Sequence, residues 1–178
     1  MNLEQLKDNL PDFAKDIRLN VSNLFGNINQ SGLSEEQFYG TALAVAYSLK
    51  NQVLIAAVQT EAGETIVQRV DSAAKIAATM MAMNNVYYRF IHLAKDAELS
   101  AMPANLRMNA LRSHGVEQVD FELYSLAVSA INGCGLCITS HMHQLLQHGF
   151  SRTAVQSVIR LTATLAAVVQ AQVIAETI

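Results

Sequence analysis

The chain has 178 residues, of which 51% are hydrophobic and 15% are charged, and its net charge is −3. High hydrophobicity with little charge excludes an intrinsically disordered chain, and the two cysteines are too few for a small disulfide-stapled scaffold. The slight negative charge, without a cluster of lysines and arginines, argues against a nucleic-acid-binding module. A charged share below the usual value of about 25% leaves a thin polar surface for a soluble monomer.

Good helix formers dominate the sequence, which contains only two prolines, and no strand alternation is present. Ser34 and Gln37 have the spacing of a capping box and predict the start of a helix. The residues that this helix is expected to bury are Phe38, Ala42, Val45, Ala46 and Leu49. The next predicted features are helices over 52–61 and 64–83, a bend at Asn84-Asn85, and a short helix over 106–111.

The C-terminal third of the chain has the clearest helix boundaries. The predicted features, in chain order, are a helix with Asp120 as its N-cap that ends at Asn132-Gly133, a helix from Cys134 to Gly149, and a final helix over 152–176 capped by Ser151. No linker rich in proline, glycine or serine divides the chain. We therefore expect one compact all-α domain that spans residues 1–178, with the cysteines at the start of a helix in its C-terminal region.

Two segments lack Asp, Glu, Lys and Arg and are therefore the candidates for a membrane span. The longest, 123–151, is interrupted by Asn132-Gly133 and contains three histidines. The next, 161–175, is shorter than the roughly 18 residues that a membrane-spanning helix needs. The amphipathic N-terminus lacks the apolar region of a secretory signal. We therefore expect a cytoplasmic protein without membrane contact, in a compartment where stable structural disulfides are uncommon.

Both cysteines of the chain lie in one C-x-x-C motif, Cys134 and Cys137. At the start of a helix their sulfurs meet unsatisfied backbone N–H groups and the positive end of the helix dipole, and both effects favour thiolate over thiol. His141 lies one turn after Cys137 and within about 60° of both cysteines on a helical wheel. It can accept the Cys137 proton or stabilise its thiolate. Glu122, on the preceding helix, can approach His141 and orient it.

Simpler interpretations of the same residues stay open. The two cysteines can be small buried hydrophobic residues. Together with His141 and Glu122 they also offer a set of zinc ligands, although no second ligand pair follows along the chain. Glu122 can serve only the helix dipole. Elsewhere, His148 is expected to interact with a helix C-terminus and His114 has no evident partner, whereas the methionines at positions 80, 81 and 83 are expected to fill the core.

Taken together, these residues resemble those of the alkyl hydroperoxidase D (AhpD) family, in the carboxymuconolactone-decarboxylase-like superfamily. Superfamily members share the pattern E-x(11)-C-x-x-C-x(3)-H, which Glu122, Cys134, Cys137 and His141 match in full. The resemblance extends over nearly the whole chain, and its other matching segments are 3–17, 83–89, 106–109 and 121–134. The residues between the cysteines differ from some relatives, which have Ser-His where this chain has Gly135-Leu136; Leu136 is expected to make the rim of the site more apolar.

The resemblance implies an antioxidant thiol peroxidase that reduces alkyl hydroperoxides. By this resemblance Cys137 attacks the peroxide and becomes a sulfenic acid, Cys134 donates a proton and closes the disulfide, and His141 and Glu122 relay the proton that activates Cys137. The resemblance further implies that no cofactor is tightly bound and that dihydrolipoamide is the external reductant. It is carried on a lipoylated 2-oxoacid dehydrogenase acyltransferase subunit, and dihydrolipoamide dehydrogenase recharges it from NADH. Family members also regenerate an AhpC-like peroxiredoxin and are typically homotrimers.

Two other functions stay open from the sequence. One is a non-redox lyase of the carboxymuconolactone decarboxylase type, which the C-x-x-C pair argues against because proton abstraction needs no dithiol. The other is a redox-sensing helical module whose disulfide alters oligomer contacts. A homotrimer would account for the low charged share, since obligate interfaces are more apolar than ordinary surface.

Overall fold

A computed structural model describes residues 1–176 of the chain. These residues form eight α-helices and no β-strand, which confirms the all-α fold class. Three short 3-10 helices, the third of which is Asn109–Arg112, lie between the α-helices. The α-helices are α1 (Leu3–Asp8), α2 (Lys15–Gly26), α3 (Glu35–Ser48), α4 (Gln52–Ala94), α5 (Ala97–Ala101), α6 (Gln118–Ile131), α7 (Gly135–Gln147) and α8 (Arg152–Glu176).

Helix α3 lies in the centre of the core. Its first turn is closed by the predicted capping box, in which Gln37 N–H donates to Ser34 Oγ at 3.1 Å and Ser34 N–H donates to Gln37 Oε1 at 3.0 Å. Every residue from Phe38 to Ala46 is buried, and α4, α6 and α8 pack around the helix. Small residues allow this close packing: a Cβ added at Gly40 would lie only 2.1 Å from Tyr124 Oη on α6.

Helix α4 confirms one expected feature and corrects another. The expected separation between helices over 52–61 and 64–83 is confirmed as a break at Gly63, whose φ of 76° falls in the left-handed region that favours glycine. The bend predicted at Asn84-Asn85 is wrong, because the helix continues to Ala94. Asn85 does not compete with the helix backbone, since its amide bonds to Ser129 and Asn132 on the neighbouring segment.

Two other predicted boundaries were wrong. The helix predicted over 106–111 is only a 3-10 helix, Asn109–Arg112, and it follows a non-helical segment in which Asn105 has a left-handed φ of 52°. Helix α6 has Glu117 rather than Asp120 as its N-cap. The carboxylate of Asp120 instead accepts a hydrogen bond from Gln37 Nε2 at 2.7 Å, which ties α6 to α3.

Helix α8 covers one side of the core. Its start is capped as predicted, because Ser151 Oγ accepts a hydrogen bond from the Ala154 N–H at 3.0 Å. It packs against α2, α3 and α6. By length and composition alone α8 could cross a membrane; 33% of its most apolar 18-residue window is buried inside the fold. The buried hydrophobic residues of this helix are Ala154, Val158, Leu161, Leu165, Val168 and Ala171.

The turn between α6 and α7 sets the position of the C-x-x-C motif. The Gly133 N–H donates to the Ala130 carbonyl at 3.2 Å, and the Cys134 N–H donates to the Ser129 carbonyl at 3.1 Å. This pair of bonds is a Schellman motif, which ends α6 and fixes the backbone where α7 begins. Gly133 has a φ of 66°, so any side chain there would be strained.

Helix α4 holds the same turn from the outside. Arg89 Nη1 donates to the Asn132 carbonyl at 2.6 Å. Asn132 Nδ2 donates in turn to Asn85 Oδ1 at 3.0 Å, and Asn85 Nδ2 donates to Ser129 Oγ at 3.0 Å. The backbone that carries the cysteines is therefore fixed both by its own hydrogen bonds and by side chains from α4.

Candidate redox-active site

Cys134 and Cys137 are joined by a disulfide bond at the start of α7. Cys134 is the N-cap of the helix, and its Sγ accepts a hydrogen bond from the Cys137 N–H at 3.3 Å. Cys134 is fully buried, whereas Cys137 is 7% exposed and lines a cavity. The predicted position of the motif at a helix start is confirmed, and the two cysteines are bonded partners rather than independent core residues.

Glu122 and His141 form a hydrogen-bonded pair beside the disulfide. His141 Nδ1 lies 2.6 Å from Glu122 Oε2, and both side chains are mostly buried, with 17% and 14% exposure respectively. If Nδ1 carries the proton that this carboxylate accepts, Nε2 is the nitrogen left to exchange a proton. His141 lies one turn after Cys137, and both residues line the same cavity with Glu122. The fold thus brings the four predicted site residues together, while their individual roles stay predictions.

The environment of Glu122 keeps its carboxylate ionised. Burial raises the pKa of Glu122, but the hydrogen bond and charge of His141, together with the hydrogen bond from Gln118, outweigh burial and hold the pKa below its ordinary value. Because α6 begins at Gln118, Glu122 is its fifth residue and lies beyond the first turn, where the helix dipole acts most strongly. Its bond to His141 is therefore the more direct account of its position.

Two residues outside the motif extend this hydrogen-bonded chain. Gln118 Nε2 donates to Glu122 Oε1 at 2.8 Å, and His114 Nε2 lies 3.1 Å from Gln118 Oε1. The ring of His114 is 7% exposed and stacks on Phe121, with the ring centres 4.2 Å apart. The expectation that His114 has no partner is therefore wrong. The spacing of four residues between 114, 118 and 122 is the sequence signal that would have pointed to this chain.

A cavity of about 440 Å³ adjoins Cys137. Leu136 lines it and is 40% exposed, consistent with the apolar rim expected at this position. Met81, expected in the core, is 2% exposed and also lines the cavity. The other lining residues are Asn84, Tyr88, Leu111, Gln118, Phe121, Glu122, Ser125, Ser140 and His141.

Two remaining expectations concern metal ligands and His148. Within residues 1–176 no group of three or more His, Cys, Asp or Glu side chains is arranged to hold a metal ion. In this oxidised form the zinc interpretation would also require sulfurs that are already bonded to each other.

His148 Nδ1 lies 2.8 Å from the Gln144 carbonyl, a contact at the C-terminal end of α7 that agrees with the expected role.

The fold and the site place this chain in a class of all-helical proteins that carry a C-x-x-C cysteine pair beside a buried glutamate–histidine pair. The model of the carboxymuconolactone decarboxylase family matches residues 97–176, which include Glu122, Cys134, Cys137 and His141. Curated relatives match almost the full length of the chain. The chain belongs to the AhpD family.

Three relatives show the extent of this similarity, and each is named alkyl hydroperoxide reductase AhpD. The protein from Coxiella burnetii (strain Dugway 5J108-111) is 49% identical over 172 residues, which cover 97% of each chain. The protein from Rhodopseudomonas palustris (strain BisA53) is 49% identical over 168 residues, covering 94% of this chain and 91% of the relative. The protein from Maricaulis maris (strain MCS10) is 46% identical over 168 residues, covering 94% and 95%.

Proposed function

We propose that this chain is an alkyl hydroperoxide reductase that works through a dithiol–disulfide cycle of Cys134 and Cys137. The observation that carries the proposal is the disulfide at the start of α7, next to the Glu122–His141 pair and open to an apolar cavity. The relatives' shared name supports the same reaction class over nearly the whole chain. An apolar cavity suits a hydroperoxide with an organic substituent.

The reaction consumes two thiols and one hydroperoxide. His141 takes the Cys137 proton, and the thiolate attacks the terminal peroxide oxygen, which breaks the O–O bond and leaves a sulfenic acid and an alkoxide. Cys134 protonates the alkoxide to the alcohol and becomes a thiolate. It then attacks the Cys137 sulfur and forms the disulfide. The displaced hydroxide takes the proton held on His141, so that the products are one alcohol and one water.

Burial supports Cys137 as the attacking cysteine. Cys137 lines the cavity and lies one turn before His141, whereas Cys134 is fully buried. The Cys137 N–H also donates to Cys134 Sγ, so the sulfur of Cys134 lies at the first turn of α7. A direct proton acceptor outweighs a helix-dipole contribution of about 0.3–1 kcal/mol, so proximity to the helix N-terminus does not favour Cys134.

The disulfide must be reduced by an external dithiol. We propose dihydrolipoamide, carried on a lipoylated 2-oxoacid dehydrogenase acyltransferase subunit and recharged by dihydrolipoamide dehydrogenase. Thiol–disulfide exchange at Cys137 transfers two electrons and needs no bound cofactor. The same exchange would let the reduced protein regenerate an AhpC-like peroxiredoxin. We place this cycle in the cytoplasm and in a homotrimer.

The decisive experiment couples peroxide consumption to this reductant. Wild-type protein is mixed with cumene hydroperoxide, dihydrolipoamide, dihydrolipoamide dehydrogenase and NADH, and NADH oxidation is followed. We expect turnover that depends on every component. If the wild-type protein consumed no peroxide, either alone or with an AhpC-like peroxiredoxin, the proposed function would be wrong.

Serine substitutions separate the roles of the two cysteines. Cys137→Ser should abolish peroxide consumption, because serine is not ionised in this site and cannot form the sulfenic acid. Cys134→Ser should stop turnover after one peroxide, with a sulfenic acid on Cys137 that dimedone traps and mass spectrometry detects. The reverse pattern, with a trappable sulfenic acid on Cys134, would exchange the two roles.

The same variants discriminate the alternative functions. A lyase of the carboxymuconolactone decarboxylase type would use Glu122 and His141 for proton transfer, and Cys137→Ser would leave its activity largely intact. A redox-sensing module would form and lose the disulfide without catalytic turnover of peroxide. Two assays therefore assign the chain to one of the three functions. One measures decarboxylation of carboxymuconolactone by the wild type and by Cys137→Ser, and the other is the NADH-coupled peroxide assay.

A further inference from the structure

Asn84 and Asn85 are neighbours on α4, and Ser125 and Ser129 lie one turn apart on α6. The hydrogen bonding of Asn84 and Ser125 differs from that of Asn85 and Ser129. Asn85 and Ser129 satisfy each other, with Asn85 Nδ2 donating to Ser129 Oγ at 3.0 Å, and Asn85 Oδ1 accepts from Asn132. Asn84 and Ser125 are also buried, with 5% and 0% exposure. In the part of the chain that the structure describes, Asn84 Oδ1 and Ser125 Oγ are the two buried side-chain oxygens without a hydrogen-bond partner.

The two residues that carry these unpartnered oxygens both belong to the lining of the cavity beside the redox pair. Asn84 and Ser125 line it together with Cys137 and His141. A buried polar group without a partner costs free energy, so native proteins rarely keep one unless a ligand or water completes it. Here a packing explanation is weak, because the adjacent pair on the same two helices shows that an asparagine and a serine can satisfy each other at this interface.

We infer that Asn84 and Ser125 form the subsite that binds the –O–O–H group of an organic hydroperoxide. This inference rests on the proposed function and adds substrate-binding residues to it. The hydroperoxide has one O–H donor, which Asn84 Oδ1 accepts, and its inner oxygen accepts the Ser125 hydroxyl proton as a hydrogen bond. The organic substituent lies against the apolar wall, which is formed by Met81, Tyr88, Leu111, Phe121 and Leu136.

The subsite also has a consequence for the chemical step. When the Cys137 thiolate attacks the terminal oxygen and the O–O bond breaks, negative charge develops on the inner oxygen, which leaves as alkoxide. The hydrogen bond from Ser125 strengthens as that charge grows, so it stabilises the transition state more than the bound substrate. The Ser125 proton stays on Ser125, and Cys134 supplies the proton that completes the alcohol.

Kinetics of Ser125→Ala test the subsite directly. We expect kcat/KM for cumene hydroperoxide to fall about tenfold, the scale of one lost hydrogen bond in a buried site. The rate at which iodoacetamide alkylates reduced Cys137 should not change, because the variant leaves the thiol and His141 intact. Asn84→Leu, which keeps the volume and removes the polar group, should show the same kinetic pattern. Ser157→Ala, a buried serine on α8 outside the cavity, serves as the control and should retain wild-type kinetics.

A binding measurement keeps the test independent of turnover. The disulfide form is titrated by NMR with 2-phenyl-2-propanol, the alcohol product, and with cumene, which lacks the hydroxyl. The wild type should prefer the alcohol, and Ser125→Ala should reduce that preference about tenfold while cumene binds both proteins equally. If the wild type consumed no peroxide but kept this preference, the proposed function would fail and the subsite would stand.

Thermal unfolding without ligand gives the last comparison. Ser125→Ala removes an unpartnered oxygen and should not lower the unfolding midpoint. Ser129→Ala should lower it, because the buried Asn85 Nδ2 would keep only a weak acceptor, Met81 Sδ at 3.9 Å. Unchanged kcat/KM and an unchanged preference for the alcohol in both Ser125→Ala and Asn84→Leu would overturn the inference, and the two oxygens would then serve only an internal water.

Discussion

The charge of Glu122 controls how His141 is held, and Glu122→Gln isolates this effect because it keeps the shape of the side chain. We expect the variant to lose about 1–2 kcal/mol in free energy of unfolding at pH 7, since His141 would then bond a neutral acceptor in a buried site. The pKa of Glu122 is lower in the folded protein than its ordinary value. The stabilisation is therefore present above the unfolded pKa of about 4.3 and is lost as the pH falls through the folded value.

Urea unfolding of both proteins at pH 7 and at acidic pH checks this prediction. The difference in free energy of unfolding between wild type and Glu122→Gln should be smaller at acidic pH than at pH 7. Glu4→Gln is a suitable control, because Glu4 pairs with Lys7 on the surface and is 70% exposed. Exposed ion pairs contribute little, so this control should unfold nearly as the wild type does. A difference between wild type and Glu122→Gln that did not depend on pH would contradict the argument from ionisation.

Single residues also show how much of the site was predictable. Cys134, Cys137, His141 and Glu122 were identified because each contributes to one spaced pattern that a single sequence displays. His114 and Gln118 were not assigned to the site, since their contacts depend on how the segment before α6 folds back on Phe121. Asn84 and Ser125 were missed because a lack of hydrogen-bond partners is a property of the surrounding packing, which the sequence does not display.

At the scale of helices, two serine caps were predicted correctly. The wrong predictions concerned polar residues whose side chains form hydrogen bonds with another helix or turn. Ser34 and Ser151 cap their helices as expected, because a cap depends on residues three positions away. Asn85 and Asp120 were assigned to a bend and a cap on their usual local preferences. Each instead makes a hydrogen bond to a distant helix or turn, and tertiary contacts outweigh those local preferences.

The packing of α3 on α6 gives a prediction at the same scale. Gly40→Ala would place a Cβ only 2.1 Å from Tyr124 Oη, so α6 must move or the tyrosine must leave its site. We expect a loss of about 1–3 kcal/mol in free energy of unfolding, typical of an overpacked core. Because Glu122 lies two residues before Tyr124 on α6, peroxide turnover should fall as well.

Gly26→Ala supplies the comparison for this variant. A Cβ added at Gly26, the last residue of α2, meets no atom within 4 Å. Alanine there should be neutral or stabilise the protein by a few tenths of a kcal/mol, because it restricts the unfolded chain. Urea unfolding of the two variants side by side measures the difference. Equal stability of both would show that the contact between α3 and α6 adjusts without cost.

At the scale of the whole molecule, helix α4 carries an exposed apolar face. Val86, Phe90 and Leu93 lie on the same side of α4 and are 57–67% exposed. Apolar residues grouped on a surface are typical of protein–protein interfaces. This face supports the proposed homotrimer and is the part of the subunit that assembly would cover first.

Light scattering on a monodisperse sample tests the assembly. We expect the mass of three subunits for the wild type and a lower mass for Phe90→Glu, which places a charge in the middle of the apolar face. Phe13→Glu is the control, because Phe13 is 59% exposed and belongs to the 3-10 helix Asp12–Ala14 rather than to α4. A wild-type sample with the mass of one subunit would refute the homotrimer.

The turn that ends α6 has a consequence for repeated cycles of oxidation and reduction. The bond between Cys134 and Cys137 spans three positions, within a backbone that the Schellman motif and Asn132 already fix. Such a short loop leaves little for the covalent link to add to the fold, because loop-closure entropy grows with loop length. In the proposed cycle the chain would therefore gain or lose two electrons and two protons while its helices stay in place.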